Sequence, residues 1–213
     1  AAHQLRTPLA GLKSQTEIAL QSTTDPALRA RLQRVHDSAT RSAHLVTQLL
    51  TLARAEPESV MAQDRQRFDL HRMAHTLTAE WVPRALRAQI DLGMDETAHE
   101  PVWVQGNELL IREALTNLID NALNYAGPGS QITVRVGQEG TRPGQPSHRA
   151  MLEVTDTGPG IDAASHERVF ERFVRATETG NGCGLGLAIV KEIVLRHQGS
   201  VALSDNAPHG LRV

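Results

Sequence analysis

Apolar residues follow two rhythms along this chain, and the change from one to the other divides it. Leu5, Leu9, Leu12, Thr16 and Ala19 stand four, three, four and three positions apart, the seam of a helix that packs against other helices. This predicts a first helix over residues 1–21. Ser22 to Asp25 interrupt the pattern, with Asp25 suited to capping and Pro26 to the first position of a new helix. Leu28, Leu32, Val35, Ala39, Ser42, Val46, Leu49 and Ala53 then carry the same rhythm to a stop near Glu56-Pro57. Two helices with one apolar stripe each make an antiparallel hairpin with too little core to stand by itself. A dimer closing into a four-helix bundle is the expected solution.

Beyond the polar stretch PESVMAQDRQR the pattern turns to alternating strands and helices. Strands are expected at 67–69, 89–93, 102–105, 131–137, 150–156 and 200–204, and helices at 70–88, 107–124 and 184–197, with GLRV entering a final strand. The expected organisation is an all-α hairpin over 1–56, a linker over 57–66 and an α/β sandwich over 67–213. GQEGTRPGQPSHR, between the two central strands, reads as a mobile hairpin loop.

Composition narrows the function classes without choosing one. The 213 residues are 40% hydrophobic and 22% charged, with a formal charge of −2, so no overall field draws the chain to nucleic acid or anionic lipid. The one cysteine, Cys183, cannot form an internal disulfide and suits a reducing compartment. No run of about 18 apolar residues and no signal-like opening is present.

Three segments of the second part carry candidate chemistry. In NLIDNALNY, Asn117, Asn121 and Tyr125 recur every fourth residue and share one helix face; their amide oxygens suit a hard cation, or are simply surface amides. In DTGPGI, Asp156 ends an apolar strand, and Gly158 and Gly160 let backbone turn closely around a flat ligand. A carboxylate there can accept from an exocyclic amine such as adenine's, though an ordinary Asp-Gly turn has the same letters. GNGCGLGLAIVKEIV is a glycine-rich entry into an apolar helix, suited to phosphate or merely flexible.

Taken in order, these segments resemble the N, G1 and G2 boxes of the Bergerat-type ATP-binding fold, with Val169-Phe170-Glu171-Arg172-Phe173 similar to its F box. No GK[ST] follows the glycines, unlike a Walker loop. HQLRTPL, opening at His3, resembles the H box of bacterial two-component sensor histidine kinases, and AGLKSQTEIAL looks most like their tricarboxylate-sensor branch. The resemblance then spans the whole chain. It implies a protein-histidine kinase in which Asn121 holds Mg²⁺ with help from Asn117, Tyr125 flanks the purine and Asp156 accepts from the adenine amine. Gly158 and Gly160 would shape that pocket, and Gly182, Gly184 and Gly186 would offer amides to the phosphates of ATP. Phe170 and Leu187 complete the nucleotide set, and residues 174–183 would form a lid. His3 would take the γ-phosphoryl group and pass it to an aspartate on a response-regulator receiver domain, with Thr7, one turn on, orienting water for the reverse dephosphorylation. The resemblance further implies a homodimer, no nucleic-acid partner, and a cytoplasmic location for this part. Membrane contact would come only through sensor segments of an inner-membrane parent.

Gyrase-like ATPases resemble one another in a glutamate base four residues before the metal-binding asparagine; that position is Asn117 here. A water-using ATPase of the same fold stays open nonetheless, as does an inactive pseudo-kinase or a dimeric protein-binding scaffold. Two positions depart from the kinase pattern: Gln4 replaces the acid after the histidine, and Asn124 replaces a lysine that Lys191 or Arg175 would have to supply. Trp81 and Trp103 are expected in the core, His71 and His75 as a solvated pair, and Cys183 as a small residue beside glycine. An amide accepts a hydrogen bond through its carbonyl but takes up no proton near neutrality. Gln4→Glu is therefore expected to raise the rate of phosphate incorporation from γ-labelled ATP, and an unchanged rate would show that no base is missing.

Overall fold

Asp25 ends the first break in the chain as a capping residue should: its Oδ1 accepts from the backbone N–H of Ala27 at 2.9 Å. This separates α1 (Ala2–Ser22) from α2 (Pro26–Ala53). The computed structural model describes residues 2–53, 65–95, 100–139, 149–174 and 184–213, with backbone alone for 2–7, 9, 10, 13, 37, 41, 43–53 and 139. It divides into two units, Ala1–Ala55 and Glu56–Val213. The expected helix stop at 56–57, most of the 57–66 linker and the 140–148 loop lie outside the described residues.

In the hairpin, Thr16 and Ala39 are buried. Thr16 Oγ1 contacts the Leu12 carbonyl at 2.9 Å and His36 Nδ1 at 3.0 Å, a polar pair across the seam. Leu12, Leu28 and Val35, placed on the apolar stripe by the sequence, remain 42%, 45% and 45% exposed. Among the described residues of one copy, these three stripe positions are left uncovered.

The second unit runs β1 (Gln66–Asp69), α3 (Leu70–Arg87), β2 (Asp91–Met94), β3 (Trp103–Gly106), α4 (Glu108–Tyr125), β4 (Gln131–Glu139), β5 (Arg149–Asp156), α5 (Gly186–Arg196), β6 (Ser204–Asp205) and β7 (Leu211–Arg212). β1 and β3 form a short antiparallel pair, and the main sheet has the order β2-β4-β5-β7-β6, with β2 parallel to β4 and the other pairs antiparallel. Ile132, Val134 and Val136 alternate into the core from β4 at no more than 1% exposure, and Leu115 and Ile119 of α4 and Ile189 and Ile193 of α5 are buried as completely. Side-chain oxygens start two of the helices. Asp69 Oδ1 accepts from His71 at 3.0 Å and Arg72 at 3.4 Å, and Asn107 Oδ1 accepts from Leu110 at 3.1 Å.

Two expectations need correction. The strand expected at 200–204 is confined to Ser204–Asp205, because β7 takes the place beside β5. Val154 and Val213 exchange backbone hydrogen bonds of 2.9 and 3.0 Å there, so β6 is left as a short edge. Trp103 is 54% exposed rather than core. It lies on the outer face of the β1–β3 pair, where the Arg67 guanidinium stacks 4.8 Å from its ring centroid. Trp81 is half-buried, with Arg84 at the same distance.

Candidate nucleotide and phosphotransfer site

Helix α4 forms one wall of the candidate site. Asn117 is 2% exposed, and its Nδ2 donates to the Glu113 carbonyl at 2.9 Å. That bond fixes the amide, so its Oδ1 is the atom presented to α5. A Cβ at Gly186, the first residue of α5, would lie 3.4 Å from Asn117 Oδ1 and 3.2 Å from both Oδ1 and Nδ2 of Asn121. The two amides therefore face the opening turn of α5 across a gap that a larger residue would fill. Neutral oxygens one turn apart are donors that fit Mg²⁺, which shares its shell with water and phosphate. Among the described residues no group of three His, Cys, Asp or Glu side chains could hold a metal ion.

Just past the C-terminal end of α4 the chain meets the DTGPG turn. A Cβ at Gly158 would lie 2.6 Å from the Cα of Ala126, the residue after Tyr125, so only glycine lets β5 deliver Asp156 this close to the helix end. Asp156 Oδ1 accepts from the Gly158 N–H at 2.8 Å, and its carboxylate also accepts from the Leu211 N–H. Burial pushes the Asp156 carboxyl above the ordinary aspartate range, and those two amides pull partly against it. Gly160 has φ +73°, a left-handed conformation, and a Cβ there would lie 3.2 Å from the Gly210 carbonyl oxygen. Tyr125 is 37% exposed at the last position of α4, leaving ring surface for a planar ligand.

The third side is the start of α5. Leu185 precedes that helix with no side-chain cap, so its first amides are left to a ligand or solvent. Phe173 N–H donates to the Gly184 carbonyl at 2.8 Å, joining the two ends of the segment expected to be a lid. Gly184 has φ +70°, and a Cβ there would lie 2.7 Å from the Val174 carbonyl. Val169 is buried, Phe170 and Leu187 are half-buried, and Lys191 Nζ lies 6.0 Å from the Phe170 ring centroid. Lys191 thus attends the aromatic ring. Asn124 donates to Asp120 Oδ2 at 3.0 Å, turning back on its own helix, and Asp120 pairs with Arg84 at 2.8 Å. Residues 175–183, with Arg175, Gly182 and Cys183, lie outside the described residues.

His3, Gln4 and Thr7 are on α1, where backbone alone is described. Sequence reasoning missed Ala126, Gly210 and Leu211, which come to Asp156 only through tertiary packing. The one local signal was a glycine ahead of the last strand.

Residues 1–58 match the family described as His Kinase A (phospho-acceptor) domain, and residues 106–213 match Histidine kinase-, DNA gyrase B-, and HSP90-like ATPase. A mycobacterial sensor histidine kinase structure, MprB, is 32% identical with a TM-score of 0.56, over 70% of this chain and 93% of that one. The chain belongs to the bacterial two-component sensor histidine kinases. Sensor protein kinase PmrB of Pseudomonas aeruginosa is 37% identical over 95% of this chain and 41% of its own length. The cytoplasmic segment of histidine kinase QseC is 25% identical with a TM-score of 0.55, over 81% of this chain and 89% of that one. The chain spans about two-fifths of the length of the curated sensor kinases it matches. The α/β sandwich and the helical hairpin are the two folds this family joins.

Because a Cβ at Gly158 would meet backbone while one at Gly93 meets nothing within 4 Å, the two positions form a controlled pair. Gly158→Ala is expected to destabilise the sandwich by about 1–3 kcal/mol in denaturant unfolding, and Gly93→Ala to stay within about 0.5 kcal/mol. Equal effects would show that the contact with Ala126 relaxes freely.

Proposed function

We propose that this chain autophosphorylates His3 from Mg-ATP and passes the phosphoryl group to an aspartate of a response-regulator receiver domain. The observation that carries the reading is the double use of α4: its amides face the start of α5, and its end abuts the turn that holds Asp156. Nucleotide phosphates and base have complementary walls there. Asp156 would accept from the adenine amine and Tyr125 would flank the purine. Gly184 and Gly186, with Gly182 of the expected lid, would turn amides toward the phosphates. Asn121, backed by Asn117, would hold Mg²⁺, which supplies neutralisation of phosphate charge. Position 117, where a water-activating glutamate would stand, carries an amide, which favours an acceptor nucleophile brought by another part of the protein. The neutral imidazole of His3 is such a group near pH 7. Thr7, one turn along α1, would orient water when the partner is dephosphorylated.

The uncovered stripe at Leu12, Leu28 and Val35 supports a homodimer through the hairpin, as does the groove of about 450 Å³ beside it, lined by Leu12, Val35 and Ala39 with Arg31 and Arg34 among its polar residues. No helix among the described residues is long and apolar enough to cross a membrane. A cytoplasmic part of an inner-membrane sensor fits that observation and the QseC cytoplasmic segment.

Incubation with γ-labelled ATP tests the reading. Acid-labile, base-stable label on the protein, lost in His3→Ala, is expected. Free phosphate without labelled protein would make the chain a water-using ATPase, and neither product would make it a scaffold.

The raised pKa of Asp156 sets a pH dependence. Protonation removes the acceptor, so ATP affinity is expected to fall on acidification at a higher pH than an ordinary aspartate would give. Fold stability runs the opposite way. The folded state binds this proton more readily than the unfolded chain, so the group's burial cost is relieved as pH falls through the raised pKa. Asp156→Asn should weaken ATP about tenfold or more and flatten this limb of the titration profile. Calorimetric titration across mildly acidic pH reads both.

A further inference from the structure

The turn between β6 and β7 plays no part in the chemistry above, yet it is built against the DTGPG turn. Asn206 Nδ2 donates to the Asp156 backbone carbonyl at 2.9 Å. His209 Nδ1 lies 2.9 Å from the Thr157 carbonyl and 3.3 Å from that of Gly158. Carbonyls only accept, so Nδ1 carries the proton and is shared between them, whichever state Nε2 is in. Gly210, at φ +119°, leaves no room for a Cβ against the Asp156 carbonyl, and the turn closes on itself through Asn206 N–H to the Gly210 carbonyl at 3.0 Å. Three consecutive carbonyls, those of residues 156, 157 and 158, are thereby held by two side chains from one turn.

The carboxylate of Asp156 takes its direction from this backbone. One of its two amide donors is Gly158, whose own carbonyl His209 contacts, and the other is Leu211, next to Gly210. A peptide free to rotate at 157–158 would carry the Gly158 N–H away and let the carboxylate swing. Recognition of a single amine tolerates little of that, because a site built to pair a polar group discriminates only while the pairing geometry is kept.

We propose that Asn206 and His209 are positioning residues for base selection, clamping the backbone of residues 156–158 so that the Asp156 carboxylate meets an exocyclic amine at the purine 6-position. This rests on reading Asp156 as the adenine acceptor. The pair acts on the choice of base and leaves the phosphate end of the site, on α5, untouched.

The test compares dissociation constants of the full chain for ATP and for purine riboside triphosphate, which lacks only the amine. The wild-type chain is expected to prefer ATP by about tenfold or more. No preference would overturn the reading of Asp156 and the proposal with it. Given that preference, His209→Ala and Asn206→Ala should each lower the ratio about three- to tenfold through weaker ATP binding, with affinity for the amine-less analogue changed less than about twofold. His209→Asn, which puts an amide donor near the place of Nδ1, should restore the ratio. A ratio unchanged in both alanine variants, or an equal loss for both nucleotides, would overturn the proposal while leaving the role of Asp156 in place.

Discussion

The candidate site depends on how closely two chain segments approach one helix. Gly186 brings the start of α5 against Asn117 and Asn121, and Gly158 brings the end of β5 against Ala126. A single methylene at the second contact would meet backbone rather than a side chain that could turn aside. Because α4 is anchored by Leu115 and Ile119 in the core, it serves as a fixed reference, and both segments are located by contact with it. The Asp156 carboxylate and the start of α5 are thereby held in one frame.

The charge arrangement follows from the same packing. The amides of Asn117 and Asn121 offer oxygens without negative charge, so the wall nearest the start of α5 does not repel phosphate. The half-buried carboxylate of Asp156 sits beyond the C-terminal end of α4. Its cost of burial is offset in part by the amides of Gly158 and Leu211. A buried group held by backbone donors is well suited to recognition, since its partners cannot rotate away. Position 117 carries an amide and no carboxylate, and this is why the proposed acceptor is the histidine of the other unit.

Much of this was legible in the sequence because the signals were local. The four-three rhythm marked the two hairpin helices, and a four-residue recurrence put Asn117, Asn121 and Tyr125 on one face. Asp25 marked the start of the second helix, and its capping partner lies two positions on. What was not legible is long-range. The contact of Gly158 with Ala126, the hold of Leu211 and Gly210 on Asp156, and the exposure of Trp103 on a two-stranded pair are set by which strands lie side by side. The alternation at 200–204 suggested a full strand, but alternation reports a half-buried surface and not a ladder partner, and β7 had taken the place beside β5. Composition and glycine spacing alone left the DTGPG and GNGCGLG segments open to flexible-loop readings, and only the approach of Gly158 and Gly186 to α4 argues against them.

The most direct measurement is a crystal structure of the chain with Mg²⁺ and a non-hydrolysable ATP analogue. The account predicts the adenine amine within hydrogen-bond distance of the Asp156 carboxylate, Mg²⁺ on Asn121 Oδ1, and the phosphates at the first amides of α5. A nucleotide bound away from α4, or one whose base faces Asn121 while its phosphates lie at Asp156, would contradict it.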